Sequence, residues 1–325
     1  MIHDKAHLYK LVLESFLEGI LGPLNKNQVF PIYHYTSTDG LIGILSNKEI
    51  WLGNVDDLND ITEIDYGFDN VIIPLINTSS DISDVNKNKL LELLKLVRNK
   101  KFSLAKGNDA YKCDVDIFVF STSANGNAYT MWNNYTKNEN KAGYAISMDN
   151  TDVTKAIVSA TKDAKVKNEN TIQSFLMRGK VVYEKEEQET LVNDYLSLLE
   201  YNLEGKSEEF KEIVYDSFVE GLLILSLFMK DNEFSKEEEY RYAILLADEI
   251  ADMDNSRRMY LKFINVNGTI MSRLIVPFES SLIKKIVASP YIPEQDKVAQ
   301  QLKFFSRKCG IPNADIEINI SKKIR

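Results

Sequence analysis

Glu237 and Glu239 are the sharpest chemical pair in this chain. Two apart in an extended segment, their carboxylates would project to one face and raise one another's pKa, which suits acid–base work or charge stabilisation. Arg241 falls on the same face, so the plain alternative is a salt bridge at the end of a solvated Lys-Glu-Glu-Glu loop. Three further polar clusters sit at strand ends or in adjoining loops, where a sheet fixes geometry. They are His34-Tyr35-Thr36-Ser37, Asn59-Asp60 with Glu63, and Ser121-Thr122-Ser123 with Trp132 and Tyr135.

Each cluster has a structural reading beside the chemical one. His34 is one of three histidines; it either bonds the backbone at its strand end or binds a ligand, and with no second histidine nearby a His-based metal site is disfavoured. Trp51 shares its strand face with Glu49 and Gly53, which leaves it covering a core edge or open for stacking. Asn59 or Asp60 with Glu63 reads first as a helix cap, and second as oxygen donors for a ribose or a cation. Ser121 to Ser123 have no paired base and no nucleophile-elbow glycines, so they orient neighbours rather than attack. Trp132 and Tyr135, three apart, share one side of a helical turn and pack.

The elements that must position these groups alternate in type. A helix spans 5–21, closed by Gly22-Pro23. From Phe30 a strand runs into the His34 cluster, Thr38 or Asp39 caps a short helix, Asn47 stops it, and Glu49 to Gly53 is a second strand. Residues 64–105 read as helical, with a long helix from Ser83 to Lys101. Asp116 to Ser123 is the best strand, followed by a turn at 124–127, and Gly143 to Met148 is another. Strand Lys180 to Tyr183 precedes a helical block over 186–230 broken near Gly205. A polar loop enters strand Tyr240 to Leu246. A hairpin turns at Asn267-Gly268, then come strand Leu282 to Ala288, helix Glu294 to Gly310 and strand Ile316 to Ile320. No Pro/Gly-rich linker divides the chain, so 1–325 reads as a single α+β domain with 186–230 as a possible helical insertion.

Composition narrows the function classes. With 325 residues, 44% of them hydrophobic, the chain supports an ordinary core. A net charge of -9 argues against a broad nucleic-acid footprint. Cys113 and Cys309 form no metal-spaced pair, which together with the absence of a signal-peptide pattern or a spanning apolar run implies a reduced, cytoplasmic setting without membrane contact.

Together, Tyr33-His34-Tyr35-Thr36, Leu58-Asn59-Asp60 with Glu63, Met131-Trp132 with Tyr135, and Glu237-x-Glu239-Tyr240-Arg241 resemble a widespread bacterial family of unknown function over roughly residues 30 to 280. Members of that family often lie near mobile-element and phage-defence genes. A second resemblance is to ADP-ribosyltransferases of the diphtheria-toxin and poly-ADP-ribose-polymerase type. Those enzymes carry a histidine on their first strand, an aromatic in a second, and a glutamate opening a late strand; His34, Trp51 and Glu239 occupy those places. Phe118 to Ser123 and the Glu237/Glu239 spacing are similar to the arginine-dependent toxin branch. This resemblance implies a mixed-sheet core of the transferase type and NAD as co-substrate, without a metal. It implies that His34 with Tyr35 and Thr36 holds the ribose, Trp51 stacks on nicotinamide, and Ser121 and Thr122 brace the site. Asn59, Asp60 and Arg241 would join the binding set, Glu239 would stabilise the oxocarbenium, and Glu237 would activate an acceptor (protein or nucleic acid) or water. The function expected is a transferase or NAD glycohydrolase acting as a defence or toxin effector. The alternatives are a non-catalytic nucleotide- or partner-binding module in a defence system, as a homo-oligomer or with a partner, and, ranked last, a magnesium-dependent nuclease.

Overall fold

A computed structural model of the chain describes residues 28–57, 62–98, 101–106, 109–135, 142–162, 174–247, 260–266 and 268–318. The helix expected over 5–21 and the segment Leu58 to Ile61 lie outside them. The described residues form an α+β fold around a mixed sheet with strand order β11-β10-β5-β1-β4-β2-β9-β8, with β7 and β6 branching from β4. These strands are β1 Pro31–Thr36, β2 Glu49–Asn54, β4 Asp109–Ser123, β5 Tyr144–Asp149, β6 Ser174–Lys180, β7 Glu239–Ala247, β8 Tyr260–Val266, β9 Thr269–Pro277, β10 Lys285–Ala288 and β11 Asp315–Ile318. β3, Lys101–Lys106, forms a hairpin with the first half of β4. Only β10 and β11 run parallel; every other pairing among the described strands is antiparallel.

Alternation along β4 and β7 divides the interior between two faces. Ile117 and Val119 of β4, with Ala243 and Leu245 of β7, meet one helical layer; Phe118, Phe120, Tyr240, Tyr242 and Ile244 meet the other. The first layer combines α2 (Thr62–Gly67), a π turn over Phe68–Ile72, α3 (Ile73–Thr78) and α4 (Asp84–Arg98) with α7 (Lys185–Leu196), α8 (Leu198–Leu203) and α9 (Glu208–Ser226). The second contains α1 (Thr38–Asn47), α6 (Asn150–Lys162) and α10 (Gln295–Lys308). A short α5, Tyr129–Tyr135, packs Met131 and Trp132 on Tyr35 of β1. The 186–230 block therefore connects two neighbouring antiparallel strands, β6 and β7, and its helices share a core with α2 to α4.

Several boundaries differ from the sequence reading for identifiable reasons. Ser37 caps α1, its hydroxyl accepting from the Gly40 N–H at 3.1 Å, and Lys48 rather than Asn47 ends it in a left-handed conformation. The long helix stops at Arg98, where the Arg98 guanidinium is clamped by Asp65 and Asp69. The chain then enters β3, and β4 starts at Asp109 rather than Asp116. The strand expected at Lys180 to Tyr183 lies earlier, at Ser174–Lys180, while Val182 forms only an isolated bridge with Met229. Helix α6 had no counterpart in the sequence reading. The strand expected from Leu282 begins at Lys285, after a turn of 3-10 helix.

Gly67 marks a close approach of α2 to the backbone at the end of α9. A β-carbon there would lie 2.8 Å from the Ser226 Cα, a backbone atom that cannot swing aside. Gly67→Ala is expected to destabilise the fold by about 1–3 kcal/mol through overpacking, read as a lower urea midpoint at unchanged slope.

Candidate functional site

The site begins with a fork in the sheet. β7 pairs with one edge of β4 from Val115 to Ser123. The opposite edge is shared: β1 meets it at Tyr33↔Ser123, and β2 at Gly53↔Val119 and Asn54↔Phe118. Between those contacts β1 and β2 diverge, leaving residues 120–122 of β4 without a strand partner on that edge. A cavity of about 410 Å³ occupies the opening. His34, Tyr35, Trp51, Gly53 and Val119 to Thr122 line it from the sheet, Met131, Asn134 and Tyr135 from α5, and Lys230, Phe234, Glu237 and Glu239 from the chain leading into β7.

One wall of the cavity is a buried ion network. Lys230, Glu237, Glu239 and Arg241 are 5, 5, 4 and 2% exposed. The Lys230 ammonium lies 2.9 Å from a Glu237 oxygen and 3.0 Å from a Glu239 oxygen. Arg241 donates through Nε at 2.7 Å and through a terminal nitrogen at 3.0 Å to the two Glu239 oxygens, and through its other nitrogen to the Leu227 carbonyl at 2.6 Å. Tyr135 donates to Glu237 at 3.0 Å, and Ser121 bonds Glu239. Burial alone would raise the Glu239 pKa, but the charges of Arg241 and Lys230 and these hydrogen bonds outweigh it and hold the carboxyl at about 2. Burial and the nearby Glu237 carboxylate push the Tyr135 phenol up, so it remains a donor.

Glu237 and Glu239 converge by a route other than strand parity. Glu237 ends a 3-10 turn over Asn232–Glu237, and Glu238 is left-handed at φ 45°, its N–H closing the turn on the Ser235 carbonyl. The two carboxylates meet because Lys230 sits between them. Lys230 escaped the sequence reading; its one local signal is a cation directly ending the apolar run Leu222 to Met229. Its place is set from the helical layer: fully buried Gln188 donates to the Val182 and Lys230 carbonyls at 2.7 and 2.8 Å, and Tyr66 donates to Gln188 at 3.2 Å. Lys230 also lies 5.4 Å from the centre of the Phe234 ring, another lining residue the sequence reading did not single out.

The remaining residues divide clearly. His34 Nδ1 lies 3.4 Å from the Ser121 carbonyl, in the gap where β4 lacks a strand; with Nδ1–H donating to that carbonyl, Nε2 is left as an acceptor. Burial lowers the imidazole pKa despite that bond, so the ring is neutral at pH 7. Trp51 is half-buried; its indole N–H donates to Glu49 at 3.3 Å, and Lys262 approaches its ring. Tyr35 donates to the Asn125 carbonyl at 2.7 Å and accepts from the Ala128 N–H at 2.9 Å, so its hydroxyl fixes the 124–128 turn and its ring faces the cavity. Thr122 bonds the Tyr240 carbonyl and Ser123 the Glu237 carbonyl, both at 2.7 Å. Thr36 packs against Gly40 of α1 and is not among the lining residues. Asn59 and Asp60 lie outside the described residues. Among the described residues no group of three or more His, Cys, Asp and Glu side chains is placed to hold a metal, and no helix is long and apolar enough to cross a membrane.

A family model described as "Protein of unknown function (DUF2971)" matches residues 131–242. The match contains Met131 to Tyr135, Lys230 and Glu237 to Arg241; the His34 cluster and the segment 58–63 lie before it. No curated protein and no solved structure matches the chain.

The depressed pKa of Glu239 links stability to acid. The unfolded chain protonates this carboxyl near its ordinary 4.5, and the folded chain only near 2. Its stabilisation is therefore complete above the ordinary value and is lost as pH falls from there through about 2, amounting to about 3 kcal/mol. Urea unfolding at pH 7 and pH 3 should show about 2 kcal/mol of this loss in the wild type, since pH 3 lies between the two values, and a smaller loss in Glu239→Gln; equal losses would refute the linkage.

Proposed function

We propose that the cavity binds NAD and cleaves its nicotinamide–ribose bond, passing ADP-ribose to an acceptor or to water. The carrying observation is that a neutral imidazole, an accessible indole and a glutamate ionised at neutral pH line one cavity at the fork of β1, β2 and β4. In this reading the fold is of the ADP-ribosyltransferase type, and Trp51 stacks on the nicotinamide. His34 Nε2 accepts from a ribose hydroxyl. The bond from C1′ to the pyridinium nitrogen breaks with its electron pair going to nicotinamide, which leaves neutral. The positive charge passes to the ribose as an oxocarbenium.

Glu239 suits the stabilisation of that charge rather than proton transfer, because a carboxyl at about 2 is an anion at any working pH. The acceptor oxygen or nitrogen then bonds C1′ and its proton goes to Glu237 or to solvent. Resemblance to a family often found beside defence genes supports a defence or toxin setting, with a protein, nucleic acid or water as acceptor.

One observation favours a second reading, a nucleotide- or partner-binding module without turnover. Arg241 and Lys230 engage both Glu239 oxygens, which offsets the field that the carboxylate can direct at a substrate. Chromatography of NAD incubated with the protein separates the two. The transferase reading expects nicotinamide release by the wild type, a roughly tenfold or greater loss in Trp51→Ala, and a loss of about a hundredfold or more in Glu239→Gln. Glu239→Gln leaves buried cations poorly paired and is checked for folding by circular dichroism; Trp51→Ala at the half-buried lining is the safer variant. NAD binding by calorimetry without any nicotinamide release selects the module, and no NAD binding removes the NAD reading.

A further inference from the structure

Each carboxylate of the cavity wall is bonded by one hydroxyl of the lining. Glu239 has Ser121, and Glu237 has Tyr135 at 3.0 Å. The other two hydroxyls that line the cavity are committed to the backbone. Tyr35 donates to the Asn125 carbonyl and accepts from the Ala128 N–H, and Thr122 donates to the Tyr240 carbonyl from a position only 2% exposed. Glu237 and Glu239 are themselves buried. The oxygens through which they meet an acceptor molecule are those of Tyr135 and Ser121.

The two pairs differ in what they can do with a proton. Arg241 engages both oxygens of Glu239, which stays an anion down to about pH 2 and is therefore a poor proton acceptor. Glu237 has Lys230 at 2.9 Å on one oxygen and Tyr135 on the other. Neutralising one partner of a buried ion pair strands the other charge, which is costly. Here the same ammonium also lies 3.0 Å from Glu239, so Lys230 keeps an anion when Glu237 takes a proton. Tyr135 is half-buried, on the face of α5 that it shares with Met131 and Asn134, and all three line the cavity. Burial and the Glu237 carboxylate push its phenol up, so it holds a proton to pass on.

We infer that Tyr135 is a catalytic residue that takes the proton of an acceptor hydroxyl or water while handing its own to Glu237. As the acceptor oxygen bonds C1′ of the ribose, its O–H bond breaks and that proton goes to the Tyr135 oxygen. The phenolic proton moves to Glu237 Oε1, so the carboxylate loses its negative charge as the oxocarbenium loses its positive one. The carboxyl then returns its proton to solvent by the same path. The inference rests on the transferase reading and adds to it the route by which the acceptor is deprotonated.

Chromatography of NAD products from the full chain, with water, methanol and azide as acceptors, tests it. Azide has no proton to remove. Tyr135→Phe keeps the ring on α5 and leaves Glu237 paired with Lys230; its folding is checked by circular dichroism, and its NAD affinity by calorimetry should match the wild type. Its reactions with water and methanol are expected to fall about a hundredfold, and the wild-type solvent deuterium isotope effect to drop toward unity. The azide reaction should stay near wild type. Undiminished reaction with water in Tyr135→Phe overturns the relay. So does an azide reaction that falls as far as the water reaction, because a purely structural tyrosine would slow both. In either case nicotinamide release by the wild type leaves the transferase reading standing, whereas a wild type that releases none removes that reading and the relay together.

Discussion

The start of β7 is held by four charges taken out of water together. Glu239 is ionised because Arg241 grips both its oxygens and Lys230 shares one of them; Glu237 lies beside it because the same ammonium lies between the two carboxylates. Burying any one of these groups alone is costly, and the mutual attraction of the set offsets that cost only in this geometry. The elements around the network fall into place accordingly. The 3-10 turn brings Glu237 inward, the left-handed Glu238 re-aims the chain, and cross-strand bonds from Thr122 and Ser123 hold β4 against the entry of β7.

The network also explains why the helical block between β6 and β7 belongs to the interior. Lys230 lies four residues beyond the end of α9, and its carbonyl is fixed by Gln188 of α7, itself bonded by Tyr66 of α2. A cation that closes the wall of a cavity is thus positioned by two helices from distant parts of the chain. On the other side, the cavity exists because β1 and β2 compete for one edge of β4. His34 spans the resulting gap with a side-chain bond to the strand it cannot pair with.

Much of the local structure was legible in the sequence. The strands carrying His34, Trp51 and Ser121 to Ser123 followed from β-branched and aromatic runs ending in polar residues, and the hairpin from Asn267-Gly268. Element ends were less legible because competing caps decided them: Ser37 took the cap expected of Thr38 or Asp39, and Lys48 the stop expected of Asn47. β3 was hidden because it follows closely on a long helix and reads as its continuation, the first half of β4 carries no period-2 pattern strong enough to be read as a strand, and only pairing between the two segments makes them strands.

By itself the sequence determined an α+β chain whose acids, aromatics and lone strand histidine fall at strand ends, since residue type and period act over a few neighbours. It could show that Glu237 and Glu239 are two apart, but not that a left-handed residue separates them or that a lysine just beyond a buried helix joins them. Tertiary structure alone decided which face each strand end shares, that the fork gathers His34, Trp51 and Glu239 around one cavity, and that the Tyr135 hydroxyl meets Glu237 there. The physical reason is that these placements depend on register and on charge pairing between segments far apart in the chain, and no local pattern encodes either.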